Sequence, residues 1–227
     1  MLVAAFIAVA IAISRGAGSG PPKPGSPRAR ADAAAVARLL HGIPQSGLTL
    51  GSPQAPVTVT EFADLECSSC RAVALGAERA LIARDVRRGE VKLRYRSLCT
   101  ATCTGPLGHA GFAAQQSAAY AADLQGRAWN YIELFYAEQG SEGTGYVTPH
   151  YLDGLARQVP GLDYGKWRAD RGLPRLREQL AADERAASAQ GLATTPTILV
   201  QGPHGKAQPI VGETGYRTLR AAIESVG

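Results

Sequence analysis

The four cysteines are the most reactive side chains of this 227-residue chain, and all of them lie between residues 67 and 103. Cys67 and Cys70 form a C-x-x-C motif, and Cys99 and Cys103 form a C-x3-C motif. Thiols at such spacings either exchange disulfides or bind a metal ion. Zinc sites prefer two tight pairs with a spacer shorter than the 28 residues that separate Cys70 from Cys99. Redox chemistry is therefore the favoured interpretation.

The C-x-x-C motif lies where a strand is predicted to end and a helix to begin. The segment 57–62 is rich in β-branched residues, and apolar residues recur at helical spacing from Cys70 to Leu81. A thiol in the first turn of a helix faces unpaired amides and the positive end of the helix dipole, which favour the thiolate. We therefore predict an exposed nucleophile at Cys67 and a resolving thiol at Cys70 that faces the core.

The charged residues beside the motif act in opposite directions. Asp64 and Glu66 are expected to raise the pKa of Cys67, whereas Arg71 is expected to lower it. These influences nearly cancel, so the charges do not decide whether the pair oxidises, reduces or isomerises its substrates.

The elements around the motif predict a βαβ unit followed by a mostly helical region. The segment 91–95 alternates as a second strand, so the two strands should be parallel and Cys99 should emerge on the sheet edge that carries Cys67. Further helices are predicted at 33–40, 110–124, 128–139, from Thr148 onward, at 173–190 and at 216–226, and further strands at 48–50, 197–200 and 208–211.

The composition excludes several other classes of protein. With 45% hydrophobic and 19% charged residues the chain is globular, not disordered. Residues 1–50 carry five basic residues against Asp32 alone, which leaves 19 basic against 18 acidic residues in the remainder. A nearly neutral body does not attract a phosphate backbone, so we do not expect nucleic acid as a partner.

The N-terminus carries a candidate targeting segment. Residues 2–13 are twelve consecutive apolar residues, which is too short a run for a full membrane span. We predict a signal peptide or membrane anchor at 1–14, followed by a linker up to Arg30 and a short helix within 15–43. No Lys or Arg precedes the apolar run, which is unusual for an exported protein.

Three segments, at 50–56, 60–70 and 193–198, resemble the DsbA-like thiol-disulfide oxidoreductases of the thioredoxin-fold superfamily. The resemblance covers about residues 44–227. It implies an α/β, thioredoxin-like fold with a first part at 44–103, an inserted helical domain at 104–190 and a second part at 191–227. It also implies that Thr195–Pro196 is cis and faces the C-x-x-C motif, where an extended substrate segment pairs with the exposed backbone.

The same resemblance places Glu61, six residues before Cys67, as a buried acid beneath the disulfide. Val57 and Val59 share its face by the period of two, which favours burial. Burial raises the pKa of a carboxyl group, so Glu61 could exchange a proton with Cys70. The alternative is a solvent-facing glutamate on an edge strand.

The predicted function is disulfide exchange with cysteine-containing exported proteins through a Cys67–Cys70 disulfide, outside the cytoplasm and without a cofactor. An oxidase is favoured over a reductase or isomerase. The resemblance implies a membrane redox partner that recycles the pair, and the N-terminal segment would hold the protein near the membrane. The alternative is a thioredoxin-fold metal-binding (Zn or Cu) or scaffold module without turnover.

Three interpretations of Cys99 and Cys103 remain. We predict a structural disulfide, because residues four apart in a helical turn lie about 6 Å apart, within disulfide range. The second interpretation is a redox pair that exchanges with Cys67 and Cys70. A copper site completed by His109 is the third and weakest.

Overall fold

The computed structural model describes residues 20–227. The predicted targeting segment at 1–14 therefore lies outside the described residues. Across residues 20–227, no helix is long and apolar enough to cross a membrane.

A seven-stranded sheet forms the centre of the described chain. Its strands are β1 (Gln45–Ser46), β2 (Thr49–Leu50), β3 (Val57–Ala63), β4 (Val91–Ser97), β5 (Thr197–Gly202), β6 (Gly205–Lys206) and β7 (Ile210–Val211). They follow the order β1-β2-β4-β3-β5-β6, and β7 pairs with β5. Strands β3 and β4 are parallel, as predicted, whereas β5 runs antiparallel to β3.

The helices are α1 (Pro27–Leu40), α2 (Ser68–Val73), α3 (Arg79–Leu81), α4 (Ala101–Thr104), α5 (Gly108–Asp123), α6 (Ala128–Ala137), α7 (Pro149–Gln158), α8 (Tyr164–Asp170), α9 (Pro174–Ser188) and α10 (Tyr216–Glu224). Two π-helical segments, Ala74–Glu78 and Ile82–Val86, join α2 and α3 into one run over 68–86, called the active-site helix below. Helices α4 to α9 lie between β4 and β5 in the chain. The α/β class with a helical insertion is confirmed.

The structure departs from the predicted elements in several places: α1 begins earlier than predicted, and α4, α8, β1 and β6 were not predicted. Helix α1 begins at Pro27, inside the predicted linker, because the Ser26 hydroxyl caps it by accepting from the Ala29 amide at 3.2 Å. Helix α8 was not predicted at all. Its N-cap is Asp163, and the buried Trp167 anchors it by donating from Nε1 to the Ala118 carbonyl at 2.8 Å.

Strand β3 positions the functional residues through its alternation. Val57, Val59 and Glu61 are buried, while Thr58 and Thr60 between them are partly exposed. Helix α6 of the insertion packs on the active-site helix. The end of β3, the start of the active-site helix and the insertion therefore meet at one edge of the sheet.

Candidate active site

Cys67 is the N-cap residue of α2 and carries no side-chain cap hydrogen bond of its own. Its carbonyl accepts the Arg71 amide at 3.1 Å, which starts the helix. Both Cys67 and Cys70 are free thiols. The structure thus describes the reduced pair, and the Cys67–Cys70 disulfide stays a prediction for the oxidised form.

Cys67 is more covered than the sequence predicts. It is only 7% exposed, because the Thr195 backbone lies over it and the Thr195 carbonyl oxygen is 3.7 Å from its Sγ atom. The prediction of an exposed Cys67 is therefore wrong. Cys70 is 0% exposed and faces the core, as predicted.

The two thiols have opposite pKa shifts. Hydrogen bonds to the Cys67 sulfur from the Cys70 thiol first, then from Thr195 and the Ser69 and Cys70 amides, outweigh desolvation and lower its pKa to about 6. Burial, followed by the hydrogen bond to Cys67 and the nearby Glu61 charge, raises the pKa of Cys70 well above its usual range. The pair thus contains one stabilised thiolate and one thiol that holds its proton.

The acidic and basic neighbours of the motif have other partners. Asp64 accepts from the amides of Thr100 and Thr102, and the Arg71 guanidinium donates to the Tyr136 carbonyl at 3.0 Å. The near-cancellation expected from these charges does not occur. Hydrogen bonds at the start of the helix decide the pKa of Cys67 instead.

The Thr195–Pro196 peptide bond is cis, as predicted, and it lies beside Cys67. Both residues are buried. The Thr195 hydroxyl lies 2.5 Å from the Thr100 hydroxyl, so the loop before β5 is fixed to the segment that follows β4.

Glu61 is 3% exposed in the middle of the sheet, where it pairs with Tyr95 of β4 and Ile198 of β5. The edge-strand alternative is therefore wrong. Within residues 20–227, neither carboxylate oxygen has a hydrogen-bond partner. Desolvation first, then the charges of Glu133 and Cys67, raise the pKa of Glu61 to about 8.

Sequence reasoning missed two further buried acids near Glu61. Burial raises the pKa of Glu78 on the active-site helix and of Glu133 on α6. The charges of Glu61 and Glu133 raise the pKa of Glu78 further. The Arg79 Nε atom donates to Glu133 at 2.9 Å. Glu78 stands eight residues after Cys70, on the same helical face, so its burial was open to prediction.

Residues of the insertion and of the segment after β7 also contact the motif through hydrogen bonds, and no sequence signal indicates these contacts. The Gln139 amide donates to the Leu65 and Cys67 carbonyls at 2.7 and 3.1 Å. The Ser68 amide donates to Glu142 at 2.7 Å, and the Ser69 hydroxyl donates to Glu213 at 3.0 Å. The partners are more than 70 residues apart in the chain.

Cys99 and Cys103 are joined by a disulfide. Asp64 holds the segment between them by accepting from the amides of Thr100 and Thr102 at 3.0 and 2.9 Å and from the Thr102 hydroxyl at 2.5 Å. The segment lies at the sheet edge that carries Cys67. The structural role of the Cys99–Cys103 disulfide, as opposed to redox exchange with Cys67 and Cys70, stays a prediction.

Comparison with known proteins gives a family and several similar proteins. A family model described as thioredoxin matches residues 45–224. The chain is 24% identical over 155 residues to the probable disulfide bond formation protein D of Bacillus anthracis, covering 68% of this chain and 69% of that protein. It is 31% identical over 211 residues to the Na(+)/H(+) antiporter NhaA 1 of Salinispora arenicola, covering 87% of this chain but 29% of the antiporter. The crystal structure of oxidised BdbD from Bacillus subtilis superposes with a TM-score of 0.67 at 21% identity, covering 80% of this chain and 95% of BdbD.

Proposed function

Because the chain belongs to the thioredoxin family and is a DsbA-like thiol-disulfide oxidoreductase, we propose that it oxidises cysteine pairs of exported proteins through Cys67 and Cys70. The observation that carries the proposal is the opposite shift of the two thiol pKa values, about 6 for Cys67 and far above the usual range for Cys70. A stabilised Cys67 thiolate favours the reduced form of the pair, and such a pair is oxidising.

In the first step a substrate thiolate attacks the Cys67 sulfur of the oxidised pair. The Cys67–Cys70 bond breaks, a mixed disulfide forms, and Cys70 leaves with the electron pair. Because the pKa of Cys70 is high, the departing Cys70 sulfur must take up a proton. The Glu61 carboxyl, with a pKa of about 8, supplies this proton.

In the second step another substrate thiolate attacks the substrate sulfur of the mixed disulfide. The substrate disulfide forms and Cys67 leaves as the thiolate that its surroundings stabilise. Two electrons have then passed from the substrate to the pair. In the reverse direction, Glu61 removes the proton of Cys70 so that Cys70 attacks the mixed disulfide.

Thr195 and Pro196 form the edge at which the substrate lies during these steps. The Thr195 carbonyl is already within 3.7 Å of the Cys67 sulfur, so a strand laid along this edge would bring its cysteine to Cys67. Main-chain pairing does not depend on side-chain identity, which suits an enzyme with many substrates.

The Cys99–Cys103 disulfide supports a proposal for the place of action. The disulfide Cys99–Cys103 persists in an oxidising compartment, so we place the protein outside the cytoplasm, exported by its segment 1–14. A membrane redox partner then reoxidises Cys67 and Cys70. We also retain the division into 1–14, 15–43, 44–103, 104–190 and 191–227 as a proposal.

The test is the reduction potential of the Cys67–Cys70 couple, measured in glutathione buffers on a variant without Cys99 and Cys103. We expect one two-electron couple above about −200 mV, on the oxidising side of the known range. The oxidised protein should also convert a reduced two-cysteine peptide to its disulfide. A much lower potential would indicate a reductase, and a couple without peptide turnover would support the scaffold alternative.

A further inference from the structure

Outside the C-x-x-C site, the described residues contain one group of potential metal ligands: Cys99, Cys103 and His109. The two sulfur atoms and one ring nitrogen of His109 all lie within 4.8 Å of one another. The sulfurs are bonded to each other in the structure, with the two Cα atoms 5.7 Å apart. The oxidised pair has no thiolate to offer a metal, so a metal site exists only after reduction.

The turn that carries the cysteines is held by hydrogen bonds that do not involve sulfur. Asp64 accepts from the Thr100 and Thr102 amides at 3.0 and 2.9 Å, and the Gly105 amide donates to the Ala101 carbonyl at 3.0 Å. His109 follows at once, in the first turn of α5. Reduction therefore leaves two thiols on one short turn that faces an imidazole.

We propose that the reduced cluster of Cys99, Cys103 and His109 binds one Cu(I) ion. Thiolates are soft ligands and select Cu(I), while imidazole suits copper as a third donor. Structural zinc sites take four protein ligands, and this cluster has three. The donor set thus matches a low-coordinate monovalent copper better than it matches zinc.

The surroundings also suit a soft ion. A cavity of about 400 Å³ reaches Cys99 and His109. Its wall combines the apolar side chains of Leu98, Phe112 and Leu180 with the polar side chains of Ser97, Arg177 and Glu184. The apolar part of this wall offers no oxygen ligands to replace the water shell of a hard cation, whereas Cu(I) bound by sulfur does not need them. His109 itself is exposed, so the ion can enter from solvent.

Loading the site requires one redox step and one ligand exchange. A dithiol reductant gives two electrons and two protons to the Cys99–Cys103 bond and becomes a disulfide, leaving two thiols. Cu(I) then forms two Cu–S bonds and one Cu–N bond, and the two thiol protons pass to solvent. The oxidation state of copper does not change.

The test uses a Cys67→Ser/Cys70→Ser variant, called the base variant, so that the C-x-x-C thiols cannot bind copper. The proposal is then independent of the proposed oxidase function. The base variant is reduced with a dithiol, freed of the reductant and titrated anaerobically with Cu(I) against a chromophoric chelator. We expect one Cu(I) per chain, with two sulfur neighbours and one nitrogen neighbour in X-ray absorption spectra, and none in the oxidised protein.

Two variants of the base protein locate the site. Removal of both Cys99 and Cys103 by substitution with serine should abolish binding. His109→Leu should weaken Cu(I) binding at least about 10-fold, since even the loss of a residue that only hydrogen-bonds a metal ligand has an effect of that size. His150→Leu, at an exposed histidine on α7, should leave Cu(I) binding unchanged.

The melting temperature of each oxidised variant separates loss of the site from loss of the fold. The proposal is overturned if the folded base variant binds less than one Cu(I), or if His109→Leu and His150→Leu bind copper equally well. It is also overturned if the oxidised base variant binds as much copper as the reduced one.

Discussion

The carboxylate of Glu142 lies 2.7 Å from the amide nitrogen of Ser68, so an acidic group from the helical insertion occupies the N-terminus of the active-site helix. Cys67, the N-cap residue, has no side-chain cap bond of its own. The positive end of one helix dipole is therefore shared by the Glu142 carboxylate and the Cys67 thiolate, which repel each other. Glu213 reaches the same dipeptide through the Ser69 hydroxyl.

Replacing Glu142 with glutamine should therefore lower the pKa of Cys67 below its present value of about 6. We expect a decrease of roughly half a unit, the usual size of a charge effect at a helix end, together with a more oxidising potential. The pKa is measured from the ultraviolet absorbance of the thiolate. Glu213→Gln is the matched control and should change it less. Equal effects of the two substitutions would contradict the assignment.

The two cysteines should behave differently when each is removed. Cys67→Ser should abolish disulfide exchange, because the stabilised thiolate is lost. Cys70→Ser should accumulate mixed disulfides between Cys67 and substrate, because the resolving thiol is missing. Both outcomes are read from non-reducing gels after incubation with an oxidised two-cysteine peptide. Trapping by the Cys67→Ser protein would reverse the roles.

Glu61→Gln should slow the step in which Cys70 attacks the mixed disulfide, since the glutamine cannot accept the proton of Cys70. The pKa of Cys67 should change far less, because hydrogen bonds from Cys70, Thr195 and backbone amides set it. Rapid-mixing kinetics of resolution across pH 5–9 measure the effect. An unchanged pH profile would mean that Glu61 has no part in proton transfer.

The raised pKa of Glu61 also predicts a pH dependence of stability. In the folded protein the carboxyl keeps its proton up to about pH 8, whereas in the unfolded chain it ionises near 4.5. Its contribution to stability is thus fully present below pH 4.5 and is lost as the pH rises towards 8. The free energy of unfolding of Glu61→Gln, measured by denaturant titration, should therefore exceed that of the wild type by roughly 2–4 kcal/mol at pH 8. At pH 4.5 the two free energies should be about equal. Glu184→Gln, at an exposed position, is the control.

Local pattern was sufficient to locate the two thiols and to predict the burial of Glu61, whereas the proposed role of Glu61 came from the family resemblance. The strand-to-helix junction indicated Cys67 and Cys70, and the period of two along β3 indicated the burial of Glu61. The cis bond before Pro196 required the resemblance to a family, because composition alone gives a cis bond only about 5–6% odds.

The groups that tune the site were beyond prediction for a physical reason. Gln139 follows the end of α6 and Glu142 lies in the loop after it. Only the packing of the insertion brings Gln139 to the Cys67 carbonyl and Glu142 to the Ser68 amide. The cover over Cys67 depends on how Thr195 lies across the sheet edge. Contacts between segments so far apart leave no periodic signal in the sequence.

The disulfide Cys99–Cys103 should be structural more than catalytic. The loop it closes is short, so the chain-entropy model assigns it only roughly 2 kcal/mol of stability. Asp64 holds Thr100 and Thr102 without it, and Thr100 in turn holds the Thr195 hydroxyl beside Cys67. A Cys99→Ser/Cys103→Ser variant should thus melt a few degrees lower and keep most of its turnover with a two-cysteine peptide. Loss of turnover, with the fold and the Cys67–Cys70 potential unchanged, would instead make this pair a relay that passes electrons on from Cys67.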